Sequence, residues 1–263
     1  MKKDFEELKK LPKGQHKKLT RTEKEAAKDA ELNAAIAAEE SKDAEVVDAF
    51  DIAAPVDILT KFNTDWIVAA AALVKWNERV EKMNEIQTAA NVPKLAKGSY
   101  AELFDYLLKE CKHANVNVQQ AGVKTIGLLA KGLRQDFAKE AKAAVPIIMP
   151  KFKERKMAED IMTTMSAVLQ CIPLAEIMEF LTIIETEKAP LTKVNICKFL
   201  EQTVLTTYID DLQDVADTLV GLSMKVTEEK DAGVRDEGLK LVGYLYGRLG
   251  DQIMEKYLSS MIP

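Results

Sequence analysis

The sequence predicts an all-α fold built from helix pairs stacked in a row, and three observations carry that prediction. Apolar residues make up 47% of the 263-residue chain but aromatic ones only 6%. Leu and Ala are the commonest of the apolar residues and few runs alternate with period two, which favours helices over strands. Second, "NVNVQQAGVKTIGLLAKGL" at 115–133 holds Gly122 and Gly127 inside a helical pattern, each costing about 1 kcal/mol relative to alanine. Third, that stretch returns 116 positions later as "DAGVRDEGLKLVGYLYGRL" at 231–249. Gly122 then falls on Gly238, Gly127 on Gly243, Val118 on Val234 and Leu133 on Leu249. Recurrence of both glycines in register marks one unit of a repeat.

The first 51 residues read differently from the rest. Residues 1–24 hold nine Lys/Arg against four Asp/Glu, and residues 25–51 hold two Lys against nine Asp/Glu. A basic block followed by an acidic one marks a charged extension or linker. Within it, "TEKE" at 22–25 fits a capping box opening an Ala/Glu/Lys-rich helix to about Glu40. Its apolar positions are nearly all alanine, with only Leu32 and Ile36 larger, so it buries little alone. Residues 67–74, "IVAAAALV", need apolar cover, and part of 22–52 is expected to supply it by packing on the first repeats.

From residue 52 onward the chain reads as one domain of helix pairs, each with an intra-repeat turn and a second amphipathic helix. The Val118 position recurs at Glu78, near Ala158, at Thr192 and at Val234, in steps of 40, about 40, 34 and 42 residues. That spacing is near the period of HEAT-type repeats, so an α-solenoid of about six such repeats is expected, its first helix beginning near Pro55. Pro146 and Pro150 suit a bent first helix in the third repeat. Gly122 and Gly127 are expected to let a neighbouring helix approach closely, their lost propensity offset by packing between repeats.

Several function classes are excluded. Net charge is −5 and the pI about 5.4, which argues against a general nucleic-acid binder. Cys111, Cys171 and Cys197 lie in apolar contexts without metal-ligand spacing and read as core residues of a reducing compartment. No run of about 18 apolar residues and no signal peptide is evident, so a soluble intracellular protein without a membrane partner is expected. His16 and His113, the two histidines, belong to no metal-spaced or nucleophile-activating set, and no phosphate loop occurs. No enzyme activity, cofactor or metal is expected.

What remains is the row of turns, which stacked repeats place along one edge. In order they read Lys75-Trp76-Asn77-Glu78-Arg79, Ala114-Asn115-Val116-Asn117, Lys153-Glu154-Arg155-Lys156, Lys188 to Lys193 ("KAPLTK"), and Glu229 to Arg235 ("EKDAGVR"). An acidic chain thus gathers Lys and Arg on one edge with a tryptophan at its end. Such an edge suits an acidic protein partner, the aromatic anchoring and the cations steering. Trp66, in the apolar run, is the candidate core tryptophan, leaving Trp76 exposed.

These turns carry a resemblance. "PVDILTKF…W…KWNERVEKMNEI", then "NVNVQQAG", "FKERK", "KAPLTK" and "AGVRDEGL" resemble a TOG domain of the microtubule polymerase family, most of all its second TOG domain, over about residues 51–263. The order of the five turns and the Trp-x-x-Arg of the first are its more specific features, and residues 1–51 resemble the charged linker before such a domain. The resemblance implies binding of αβ-tubulin through the turn edge in support of plus-end growth, by a monomeric domain of a longer cytoplasmic, microtubule-, centrosome- or spindle-associated protein. It further implies tubulin contacts at Trp76, at Val116 and Asn117, at Lys153 and Lys156, at Lys193 and at Arg235. Two departures touch the first and third turns: residues 67–74 are apolar where the family has a charged helix, and "KMAEDIMTT" lacks the family's valine. Two other functions stay open, a general HEAT scaffold binding proteins on its concave face and a TOG fold that has lost tubulin affinity.

Overall fold

The computed structural model describes residues 48–258; the expected helix from Thr22 to Glu40 and its packing lie outside them. Of these, residues 49–258 belong to one compact unit.

A short helix α1 (Ala49–Ile52) leads into an extended segment, in which Val56 forms an isolated parallel bridge with Leu95. No helix therefore begins at Pro55, contrary to expectation. Proline lacks the N–H of a helical turn, and here Val56 spends its own groups across the chain: its N–H donates to the Lys94 carbonyl at 3.1 Å and its carbonyl accepts from Ala96 at 2.8 Å. Phe50, on α1, lies under two cations, the Lys94 Nζ 4.8 Å and the Arg134 guanidinium carbon 4.2 Å from its ring centre.

Five helix pairs follow. The first joins α2 (Thr64–Ala71) to α3 (Trp76–Ala90) and the second α4 (Ala101–Cys111) to α5 (Val116–Leu133). In the third, α6 (Ala138–Ile148) runs through 3₁₀ turns into α7 (Ala158–Val168). The fourth has a broken first helix, α8 (Met178–Leu181) and α9 (Ile183–Thr186), before α10 (Pro190–Thr206). The fifth is α11 (Ile209–Asp214) and α12 (Ala216–Thr227) with α13 (Ala232–Leu249), and α14 (Asp251–Leu258) comes after it. Local chemistry sets these bounds. Asn63, Asn115 and Asp231 cap α2, α5 and α13 by accepting from the backbone N–H of Trp66, Asn117 and Val234. Pro190 starts α10, where its missing N–H costs nothing. Pro146 lies within α6 and Pro150 near the start of the 3₁₀ turn Met149–Lys153 into which that helix passes.

The second helices stack in chain order, α3 on α5, α5 on α7 and α10 on α13, and the turn Met149–Lys153 packs on α10. Phe62, Met83, Ile126, Leu129, Phe137, Phe152 and Phe199 are among the fully buried side chains of the single core. Trp66 packs against that core edge-on to Phe62 and Tyr106, at 4.8 and 6.1 Å between ring centres. Cys111, Cys171 and Cys197 are free and buried, and burial pushes each thiol up to about 12, which keeps them protonated and inert. The apolar run at 67–74 is covered only in part: Val68 and Val74 are exposed and Ala70 is buried.

The glycines divide into three cases. A Cβ on Gly122 would meet the Cys111 Sγ at 2.9 Å and its backbone N at 3.2 Å, and one on Gly238 would meet Val226 Cγ1 at 2.9 Å and the Thr227 N at 3.1 Å. A neighbouring helix thus approaches closely at both, but it is the first helix of the same pair, so the packing there is within a repeat rather than between repeats. Gly127 does face a neighbouring repeat, with Thr164 Oγ1 at 2.6 Å and its Cα at 3.2 Å. Gly243, its register mate, has nothing within 4 Å.

Candidate turn-edge interface

Trp76 is the first residue of α3, directly after the extended Lys75. A side chain at that position projects from the turn and has no preceding turn to cover it. The indole is 46% exposed, the neighbouring Val74 90% exposed, and together with Lys75, Asn77, His113, Ala114 and Asn115 they line a shallow cleft of about 570 Å³. An apolar shelf therefore lies across the first two turns. Its second wall is held rigid: His113 Nδ1 accepts from the Asn115 N–H at 2.9 Å, and Gln119 Nε2 donates to the His113 carbonyl at 2.7 Å.

Behind the shelf, Arg79 bonds to Glu110 through Nη1 and donates from Nη2 to the Ala71 carbonyl at 3.0 Å. Glu110 is buried, and that desolvation raises its carboxyl pKa while Arg79 opposes the shift. One guanidinium thus ties α2, α3 and α4 together beneath Trp76. Sequence reasoning placed Arg79 only in a motif; its signal was the Trp-x-x-Arg spacing, which sets it one helical turn below the indole.

The second and third turns are joined directly. Lys156 Nζ donates to Asn117 Oδ1 at 2.6 Å, Gln120 Nε2 donates to Asp160 Oδ2, and Lys151 Nζ donates to Gln119 Oε1 at 2.8 Å. Two expected contact residues, Asn117 and Lys156, are therefore each other's partners. Val116 is half-buried, packed against the core. Lys153 is exposed, with no hydrogen bond or ion pair among the described residues. Lys151, absent from the sequence reading, is half-buried, and that burial lowers its ammonium pKa.

The fourth and fifth turns depart most from expectation. Lys193 is not on the surface: it is 6% exposed and paired to Glu229 of the fifth turn. The reason is its place four residues into α10, which turns its stem inward while the ammonium meets the Glu229 carboxylate of the next turn. Glu187 closes the fourth turn by accepting from the N–H groups of Lys188 and Ala189 at 2.7 and 2.9 Å, bonds that lower its pKa. Arg235 is half-buried, and its Nη1 donates to the carbonyls of Glu229 and Lys230 at 3.0 and 2.8 Å. Of the seven sequence-assigned residues, Trp76 and Lys153 thus stand out into solvent with Lys156, which is exposed but bonded to Asn117. Among the described residues no group of three or more His, Cys, Asp or Glu could hold a metal ion, and no helix is long and apolar enough to cross a membrane.

No family model matches the chain. Over 224 residues it is 30% identical to Centrosomal protein 224 of Dictyostelium discoideum, covering 83% of this chain and 11% of that protein. The fold superposes with a TM-score of 0.73 and 28% identity on a structure solved in work on microtubule plus-end tracking by XMAP215, CLIP-170 and EB1, covering 80% of this chain and 88% of that one. A second structure, from work on tubulin recruitment by microtubule polymerases with TOG domain arrays, superposes with a TM-score of 0.71 at 22% identity, over 84% of this chain and 48% of that one, and shares the fold. The chain belongs to the TOG-domain family of microtubule polymerases. This TOG domain spans only 11% of the length of the curated relative it matches. The turn edge just described is a property of the TOG domain itself, formed wholly within the compact unit Ala49–Pro263.

Proposed function

We propose that this TOG domain binds αβ-tubulin heterodimers through its turn edge and, as one module of a longer protein, supports microtubule plus-end polymerisation. The observation that carries this is Trp76, an exposed aromatic at the head of α3 on a shelf with Val74 and Asn115, with the exposed Lys153 and Lys156 two turns away. Aromatics in such positions are the usual anchors of an interface, and flanking cations suit an acidic partner. The relative named for the centrosome and the structures solved in work on plus-end tracking and tubulin recruitment support the same partner and a cytoplasmic, microtubule-associated setting. The turn sequences favour the second TOG domain of such a protein, with residues 1–51 as the linker before it and 52–263 as the domain. No turnover is part of this function: the domain captures a tubulin dimer and, tethered beside other such domains, raises the local subunit concentration at a microtubule end.

Size-exclusion chromatography with unpolymerised tubulin tests the proposal: the domain co-elutes with tubulin and Trp76→Ala does not. A domain that elutes alone at micromolar concentrations refutes it. A second function, peptide binding as a scaffold, is favoured by a groove of about 880 Å³ along the second helices, lined by Gln87, Lys124, Leu128, Asn195 and Lys198 among others. Lys124→Glu with Lys198→Glu would then abolish partner binding and Trp76→Ala would not.

A further inference from the structure

We infer that Lys193 is a positioning residue of the tubulin edge, acting through Glu229 to hold Arg235 in place. The inference rests on the turn-edge proposal above and changes the role of one of its members. Lys193 is buried and paired to Glu229, so a tubulin dimer cannot reach its ammonium without breaking that pair. The same Glu229 offers its backbone carbonyl to Arg235 Nη1 at 3.0 Å, and the next carbonyl, of Lys230, accepts from that nitrogen at 2.8 Å. Lys193 therefore fixes the Glu229 side chain, the fifth turn is fixed with it, and the two carbonyls hold a half-buried guanidinium by one of its nitrogens. Asp231 closes the other side of the turn by accepting from the Val234 N–H at 3.1 Å. Holding a cationic fork in one geometry reduces what is lost on binding, because its freedom is already spent in the free protein.

A direct contact and a positioning role predict opposite results. The full chain carrying Glu229→Gln, Lys193→Met, Arg235→Ala or Lys193→Met with Arg235→Ala would be titrated against unpolymerised αβ-tubulin. If Lys193 acts through Arg235, Lys193→Met weakens binding about tenfold alone and less than about twofold in the Arg235→Ala background, since residues in one network are not additive. Glu229→Gln, which keeps the side chain's shape while removing the charge that pairs with Lys193, weakens binding in the same way. Equal losses from Lys193→Met in both backgrounds, or tighter binding by Glu229→Gln through a released Lys193, overturn the inference. Amide hydrogen exchange of the free chain gives a readout independent of tubulin. Exchange at residues 230–235 is expected to accelerate in Glu229→Gln and Lys193→Met with the rest unchanged, and unaltered exchange there overturns the inference whatever tubulin does. Failure of the unsubstituted chain to bind tubulin would instead refute the turn-edge proposal.

Discussion

Replacing Gly127 with alanine is expected to destabilise the domain, whereas the same change at its register mate Gly243 is expected to stabilise it. Helix propensity alone gives the same sign at both, about 1 kcal/mol in favour of alanine. The surroundings separate them. At Gly243 nothing lies within 4 Å of the new methyl group, so most of that gain is kept. At Gly127 the methyl would sit 2.6 Å from Thr164 Oγ1 and 3.2 Å from the Thr164 Cα. The hydroxyl could rotate away, but it donates to the Val123 carbonyl at 3.1 Å inside the core. Losing that bond leaves buried polar atoms unpaired at about 1–3 kcal/mol. The Cα belongs to the backbone of α7, so relieving it moves a helix, with overpacking costs of about 1–3 kcal/mol. The net is about 1–5 kcal/mol of destabilisation for Gly127→Ala against up to about 1 kcal/mol of stabilisation for Gly243→Ala. Urea denaturation followed by circular dichroism measures both. Two stabilising variants would mean that α5 and α7 do not approach closely at Gly127, and the inter-repeat account of that glycine would fail.

Trp76→Ala is expected to weaken tubulin binding by about 2 kcal/mol or more and to leave the thermal midpoint nearly unchanged; a large fall in the midpoint would place the indole in the core. Phe50→Ala removes a ring held by two cations, each such contact being worth about 0.5–1 kcal/mol, so a loss of about 1 kcal/mol in stability is expected, and none would mean that α1 does not hold to the first repeats. Burial between α10 and α13, together with the adjacent Glu237, raises the Glu201 carboxyl from 4.5 to about 7. The folded state therefore binds this proton more tightly than the unfolded chain, and its contribution to stability is present below about pH 4.5 and lost as pH rises to about 7. Glu201→Gln is expected to flatten that decline between pH 5 and 7, read from denaturation midpoints at each pH.

Much of the fold was legible because repetition multiplies a weak signal. One glycine in a helix means little, but two recurring in register exposed the repeat. What the glycines do was less legible. Gly122 and Gly238 are squeezed by their own pair and Gly127 by the next, a distinction that depends on the crossing of helices and leaves no trace in spacing. At the edge, Trp76 was readable since the head of a helix has no turn above it to bury a side chain. Lys193 was not, because a lysine near a turn looks the same in sequence whether its ammonium meets solvent or Glu229, a residue 36 positions away. The pairing of Arg79 with Glu110 was missed for the same reason, since it spans 31 positions.

The bonds that link one turn to the next have a consequence for how the domain forms and fails. They span nearly constant stretches of chain: 39 residues from Asn117 to Lys156, 40 from Gln120 to Asp160, 43 from Phe152 to Asn195 and 36 from Lys193 to Glu229. Each closure therefore asks for a loop of about the same length, and each can form once its two flanking pairs exist, wherever along the chain that first happens. Assembly is expected to spread from neighbour to neighbour like a zip. Under tension between its ends, as a tether to a growing polymer would apply, the domain is expected to give way one pair at a time in steps of about forty residues.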